Sequence, residues 1–189
     1  MTGAVVLAAG AATRFGSPKQ LAPLDGRPLL QHALDATLAV PAIDRTVLVL
    51  GAHAERVRAG VALGAAEIVV CPDWERGLSA SLRCGLRALA GAERVVVALG
   101  DQPRLTPAAI AAVLAAADGR APGARATYDG VAGHPVVLGP ALLARAGELR
   151  GDQGFRDLLA GADVRAVEVG GLARPDDVDT PEELEAMRA

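Results

Sequence analysis

Apolar positions along this chain fall into two patterns that take turns. Short runs at residues 4–8, 46–50, 67–70 and 94–99 are almost uninterrupted by polar side chains, which reads as strands buried on both faces. Between them, apolar residues recur every three or four positions. Residues 28–39 place Leu29, Leu30, Ala33, Leu34 and Leu38 on one stripe, and residues 79–90 do the same with Leu82, Leu86 and Leu89, as a helix with one packed face requires. Thr106-Pro107 offers a hydroxyl at the N-cap and proline at the first helical position, opening an alanine-rich helix to about Ala117. Thr180-Pro181-Glu182-Glu183 repeats that start with a capping-box glutamate. The alternation predicts a three-layer α/β/α architecture around a mostly parallel sheet. Residues 125–128 and 134–138, joined through Asp129-Gly130, read as a hairpin or an excursion from a mostly parallel mixed sheet, and residues 164–169 supply a further strand before the last helix. In such sheets ligands bind where loops gather at the carboxyl ends of strands.

With 189 residues and 51% apolar positions, residues 1–189 fit one compact domain with a sizeable core. The formal charge of -3 and the 2% aromatic content show neither the basic footprint nor the stacking platforms of a nucleic-acid binder. No apolar run approaches the roughly 20 residues that span a bilayer, and the start MTGAVVLAAG has no basic lead-in. A cytosolic protein without membrane or nucleic-acid partners is expected. Cys71 and Cys84 form no CxxC pair, so reduced thiols in ordinary packing are expected as well. One oddity bears on chemistry: of 19 basic side chains only Lys19 is lysine.

That lysine closes the loop after the first strand, Gly10-Ala11-Ala12-Thr13-Arg14-Phe15-Gly16-Ser17-Pro18-Lys19. The loop is neither GxGxxG nor a P-loop. It is a small-residue turn whose amides can approach a phosphate chain, followed by two cations, Arg14 and Lys19. Gly100-Asp101-Gln102-Pro103 follows the strongest strand, so Asp101 stands at a strand's carboxyl end, where a carboxylate can hold Mg²⁺. Gly77 to Ser81 is a tight turn entering a helix with two hydroxyls, suited to reading a base edge, with Ser79 also a candidate N-cap. Asp176, Asp177 and Asp179 precede the last helix, and all three suit its positive end even without an ion. His134, between Gly133 and Pro135, reads as a ligand-facing turn residue. His32 and His53 fall in predicted helices away from the strand ends and receive no role.

The segment from Leu7 to Leu30, LAAGxxxRFGxxKxLxPLxGRPLL, resembles the MobA-like NTP transferase family of the GT-A-like nucleotidyltransferase fold, Rossmann-like and shared with nucleotide-diphospho-sugar transferases. Within it, the molybdenum cofactor cytidylyltransferases are the most similar group. Related guanylyltransferases carry LAGG where Leu7-Ala8-Ala9-Gly10 stands here, and LAAG goes with CTP. The resemblance implies that Leu7, Ala8, Ala9, Gly10, Lys19, Gly77, Ser79, Ser81 and Asp101 bind the nucleotide. It further implies that Arg14, Lys19 and Asp101 carry catalysis and that Asp101 and Asp179 ligate Mg²⁺. Gly133-His134-Pro135-Val136 resembles a segment of the molybdopterin-specific members. Residues 151–156 are similar to an acceptor-bordering motif, with Gln153 in place of a cation and Phe155 in place of a small residue. His134, Asp152 and Arg156 are then the implied acceptor contacts. The implied reaction moves CMP from CTP to a molybdopterin-type phosphate and releases pyrophosphate. The implied partners are those two small molecules and, transiently, a molybdenum enzyme or its chaperone. Transfer to a sugar or alditol phosphate, an NADPH-dependent reduction on the same scaffold, and non-catalytic cofactor binding are the rival readings.

Overall fold

The computed structural model describes residues 1–149 and 154–188. In chain order the elements are β1 (Thr2–Ala8), a 3-10 turn (Lys19–Leu21), β2 (Pro23–Leu24), β3 (Arg27–Pro28), α1 (Leu29–Leu38), β4 (Arg45–Leu50), α2 (Ala54–Gly60) and β5 (Glu67–Val70). After a second 3-10 turn (Trp74–Arg76) come α3 (Leu78–Ala88), β6 (Arg94–Leu99), α4 (Pro107–Ala116), β7 (Gly123–Tyr128), β8 (Val131–Leu138) and α5 (Pro140–Ala144). A third 3-10 turn (Ala146–Glu148), α6 (Gly154–Leu159), β9 (Arg165–Glu168) and α7 (Pro181–Arg188) complete the order.

Seven strands form one sheet in the order β5-β4-β1-β6-β8-β7-β9, with β2 and β3 pairing as a separate small ribbon. Only β8 runs against its neighbours β6 and β7; the other pairings in the seven-stranded sheet are parallel. The uninterrupted apolar runs explain the layers. On one face Val5, Leu7, Val47, Val49, Val95 and Val97 pack under α3 and α6, through residues such as Leu82 and Leu158. On the other, Val6, Leu48 and Leu50 meet Leu30 and Leu34 of α1, while Val96 and Ala98 meet Ile110 and Val113 of α4. The chain leaves β1 for β4 on one side and later places β6 on the other. The loops after β1 and β6 therefore diverge and open a crevice at the carboxyl rim, as at any such reversal of strand order.

Local signals act as expected at several boundaries. Thr106 Oγ1 accepts from Ala109 N at 3.2 Å and starts α4. The β7–β8 hairpin turns on Asp129 and Gly130, both with positive φ, as a two-residue hairpin loop demands. Three expectations fail. The strand at Glu67–Val70 is not buried on both faces: it forms the sheet edge, and Val70 is half exposed. Cys71 and Cys84 are not free thiols but a disulfide, because α3 folds back over β4 and β5 and brings their Cα atoms within 5.8 Å. His134 is not in a turn; it lies inside β8. Burial, and then the charge of Arg125, push its imidazole down to about 4, so it is neutral near pH 7. No helix among the described residues is long and apolar enough to cross a membrane.

Two outcomes follow from this packing. Leu48 is fully buried, so Leu48→Ala should cost about 2–5 kcal/mol, read as a lower urea midpoint at unchanged slope; a loss below about 1 kcal/mol would contradict the packed layer. His134 takes up a proton less readily folded than unfolded, so wild-type stability should fall as pH drops from 6.5 toward 4. His134→Gln should show a shallower fall over that window in thermal melts, and parallel pH profiles would refute the burial account.

Candidate active site

The crevice between the β1 and β6 loops is a cleft of about 400 Å³. Leu7, Ala8, Ala9 and Gly10 line one wall, and Gly10 is exposed with open space where a side chain would stand. Gln20 shapes this loop from beneath. Its buried Nε2 donates to Ala8 O at 3.1 Å and Gly10 O at 3.0 Å, tying the turn after β1 to the 3-10 segment that carries Lys19. Gly51 matters at close range: a Cβ there would sit 2.5 Å from Ala9 O and 2.6 Å from Trp74 Cγ.

Lys19 brings together residues far apart in sequence. Its Nζ donates to Asp101 Oδ2 at 2.7 Å and to Asp179 Oδ1 at 2.7 Å. Arg14 Nη2 donates to the other oxygen of Asp179 at 2.6 Å. The Lys19 side chain is only 12% exposed. Burial alone would pull its pKa down, but the two carboxylates outweigh it and hold the ammonium above its ordinary value. Asp179 is held below the usual carboxylate range by the Lys19 hydrogen bond, with Arg14 adding to the effect. Both groups are therefore charged near pH 7. The opposite oxygen, Asp101 Oδ1, is buried without a partner among the described residues.

The backbone fixes this geometry at both ends. Val178 N donates to Asp101 O at 3.1 Å, and Gln102 Nε2 donates to Asp177 Oδ1 at 2.6 Å and Pro175 O at 3.3 Å, strapping residues 175–179 against the end of β6. The capping box does the rest. Glu183 Oε2 accepts from Asp179 N at 2.6 Å and Thr180 N at 3.0 Å, while Thr180 Oγ1 accepts from Glu183 N at 3.2 Å. Asp177 is pushed up by its burial despite the Gln102 bond. Asp176 pairs with Arg174 at 3.1 Å, a local contact.

A second wall comes from the turn into α3. Gly77 has φ of 94° and ψ of -177°, a conformation open to glycine and strained for other residues; it lets Trp74, Leu78 and Ser81 line the cleft. Ser79 departs from expectation. It neither caps α3, whose N-cap makes no side-chain bond, nor lines the cleft; its Oγ is fully buried. His53 also departs. It sits just after β4 at the carboxyl rim, and its Nε2 lies 3.2 Å from Ala11 O in the first loop. His134 lies one strand away from β6, beyond the residues that line the cleft. Arg156 is exposed on α6, and Asp152 lies outside the described residues. Gln20, Gln102 and His53 were not legible as site residues. Only the position of Gln20 beside Lys19 and of Gln102 beside Asp101 could have drawn notice.

Two carboxylates, one with a free buried oxygen, can serve a hard divalent cation that completes its shell with water and phosphate oxygens. Among the described residues no cluster of three or more His, Cys, Asp or Glu side chains is placed to hold a metal unaided. A cleft with two cations and exposed backbone at one wall is suited to binding a polyphosphate.

Comparison with known proteins agrees with that chemistry. The family described as the MobA-like NTP transferase domain matches residues 4–168. A 2-C-methyl-D-erythritol 4-phosphate cytidylyltransferase of Cereibacter sphaeroides is 46% identical over 133 residues, 65% of this chain and 56% of that protein, so this chain spans little more than half its length. Nicotine blue oxidoreductase of Paenarthrobacter nicotinovorans is 34% identical over 193 residues, covering 95% of this chain and 93% of that one. The crystal structure of Rv0371c from Mycobacterium tuberculosis superposes with a TM-score of 0.89 at 34% identity, over 98% of this chain and 96% of that one. Its complex with manganese gives 0.82 at 31% identity, over 98% and 97%. By the match that runs from its first strand to its last, this chain belongs to the MobA-like NTP transferase family.

Proposed function

We propose that this protein is a cytidylyltransferase that uses Mg²⁺ to move CMP from CTP to the phosphate of a molybdopterin-type acceptor, with residues 1–189 acting as one unit. The observation that carries the nucleotidyltransfer reading is the Lys19 ammonium set between Asp101 and Asp179 at 2.7 Å each, at the rim where the first loop bares its backbone. The choice of CTP rests on Leu7-Ala8-Ala9-Gly10 and is supported by the cytidylyltransferase similarity. The acceptor class rests on Gly133-His134-Pro135-Val136.

In the transfer an oxygen of the acceptor phosphate bonds to the α-phosphorus of CTP while the bond to the bridging oxygen breaks, and pyrophosphate leaves. Such transfers need alignment and charge neutralisation more than proton donors. Lys19, kept protonated by its carboxylates, and Arg14 stabilise the β- and γ-phosphates and the leaving pyrophosphate. Amides around Gly10 approach the phosphate chain, and Gly77 with Ser81 meets the base. Asp101 and Asp179 would hold the Mg²⁺, which when bound supplies positive charge to the α-phosphate. Gln102, Gln20 and Glu183 keep those groups in register. A second reading keeps the scaffold but reduces a substrate with NADPH, favoured by the end-to-end similarity to nicotine blue oxidoreductase.

Lys19→Ala should fold normally and lose about 10²–10³ in turnover, the usual cost of one preorganised charge. Pyrophosphate release compared between variant and wild type checks this, and an unchanged kcat would refute the role of Lys19. Calorimetry with CTP, GTP and NADPH, each with and without Mg²⁺, should show metal-dependent binding with CTP preferred over GTP. NADPH binding that ignores Mg²⁺ would replace the proposal by the reductase reading.

A further inference from the structure

On the sheet face covered by α3 and α6, a row of side chains leads away from the cleft and ends at Arg125, which has no ion pair among the described residues. Val97 of β6 stands opposite Val136 of β8, and Val136 stands opposite Arg125 of β7. Leu99, two residues beyond Val97 on the same face, lines the cleft. His134, two residues before Val136, occupies the matching place on β8. The cleft, His134 and Arg125 thus form a path across adjacent strands.

Among the described residues no carboxylate pairs with Arg125. Its Nε is buried without a hydrogen-bond acceptor among the described residues, and its cross-strand neighbours, Val136 and Ala166, are neutral. The nearest carboxylate along β9, Glu168, is taken by Thr127 Oγ1 at 3.0 Å and by the amides of Asp129, Gly130 and Gly170 at 2.9–3.1 Å. The neutral imidazole of His134 supplies no countercharge. A buried donor left without an acceptor is costly in a folded protein, and the planar fork of donors to which that Nε belongs suits an oxyanion brought from outside.

We infer that Arg125, with His134 beside it, binds an oxyanion of the acceptor at a point apart from the phosphate that reacts. Naming that anion's bearer the acceptor rests on the nucleotidyltransfer reading; the anion site itself does not. Strands lie about 4.8 Å apart, so Arg125 stands two strands, on the order of 10 Å, from the row that borders the cleft. The acceptor is then an elongated molecule with a second negative group remote from its reacting phosphate, and a short neutral-tailed alditol phosphate cannot reach both points.

The test uses inorganic phosphate as probe, followed by ³¹P NMR titration. Arg14→Ala/Lys19→Ala protein removes the cations of the cleft and should retain one saturable phosphate site. Adding Arg125→Gln should weaken that site roughly tenfold or more, the scale of hydrogen bonds to a charged group, and Arg125→Lys should restore part of it. The melting temperature of Arg125→Gln should hold or rise, because a buried donor without an acceptor is removed; a purely structural arginine would instead lower it. Equal phosphate binding with and without Arg125, or no saturable site once the cleft cations are gone, overturns the inference. CTP titration of the wild type tests the nucleotide reading separately: failure there with intact Arg125-dependent phosphate binding sinks that reading and leaves the anion site standing.

Discussion

A single ammonium group joins three distant parts of this chain. Lys19 follows the first strand, Asp101 the sixth-strand run and Asp179 the last loop, yet both carboxylates meet its Nζ at 2.7 Å. Two carboxylates brought this close repel unless something positive lies between them. The lysine supplies that charge from a side chain only 12% exposed, and the two carboxylates outweigh the burial. The rest of the rim is arranged around keeping the three groups in place.

Topology does the coarse placement and buried polar side chains do the fine placement. The strand order sets the β1 and β6 loops on either side of one crevice. Gln20 then ties the first loop to the turn bearing Lys19, Gln102 straps the last loop to β6, and Glu183 closes the backbone of Asp179 into a capping box. Gln20 and Gln102 are polar groups withdrawn from water and hydrogen-bonded, the arrangement in which such bonds specify geometry most strongly, while Glu183 acts from the exposed surface. The Arg125 Nε does not meet the same rule among the described residues, and the proposed anion would satisfy it.

Much of this is legible in the amino-acid sequence. Uninterrupted apolar runs and threefold-to-fourfold spacing gave the strands, helices and layers, since burial on both faces leaves little room for another pattern. Thr106, Thr180 and Glu183 announced helix starts through chemistry confined to four residues. The loop after β1, Asp101 and Asp179 stood out because they sit at strand ends or before a helix, and Lys19 because it has no competitor in the composition. What stayed hidden depends on contacts across long sequence separation. The Cys71–Cys84 disulfide arises from α3 packing back over the sheet, which a spacing of 13 does not reveal. The burial of Ser79 and of His134 depends on how a turn or strand is rotated, and the reach of His53 to Ala11 O on which loops share a rim. Buried glutamines look the same in sequence as exposed ones.

The most direct test of the Lys19-centred arrangement is electron paramagnetic resonance of Mn²⁺ added to the protein with CTP, in the wild type and in an Asp101→Asn/Asp179→Asn double variant. If these carboxylates form the cation site for a polyphosphate, the wild type should take up Mn²⁺ far more tightly in the presence of CTP, and the double variant should lose that gain. Equal Mn²⁺ uptake by both proteins would show that the carboxylates exist to hold the lysine and nothing else.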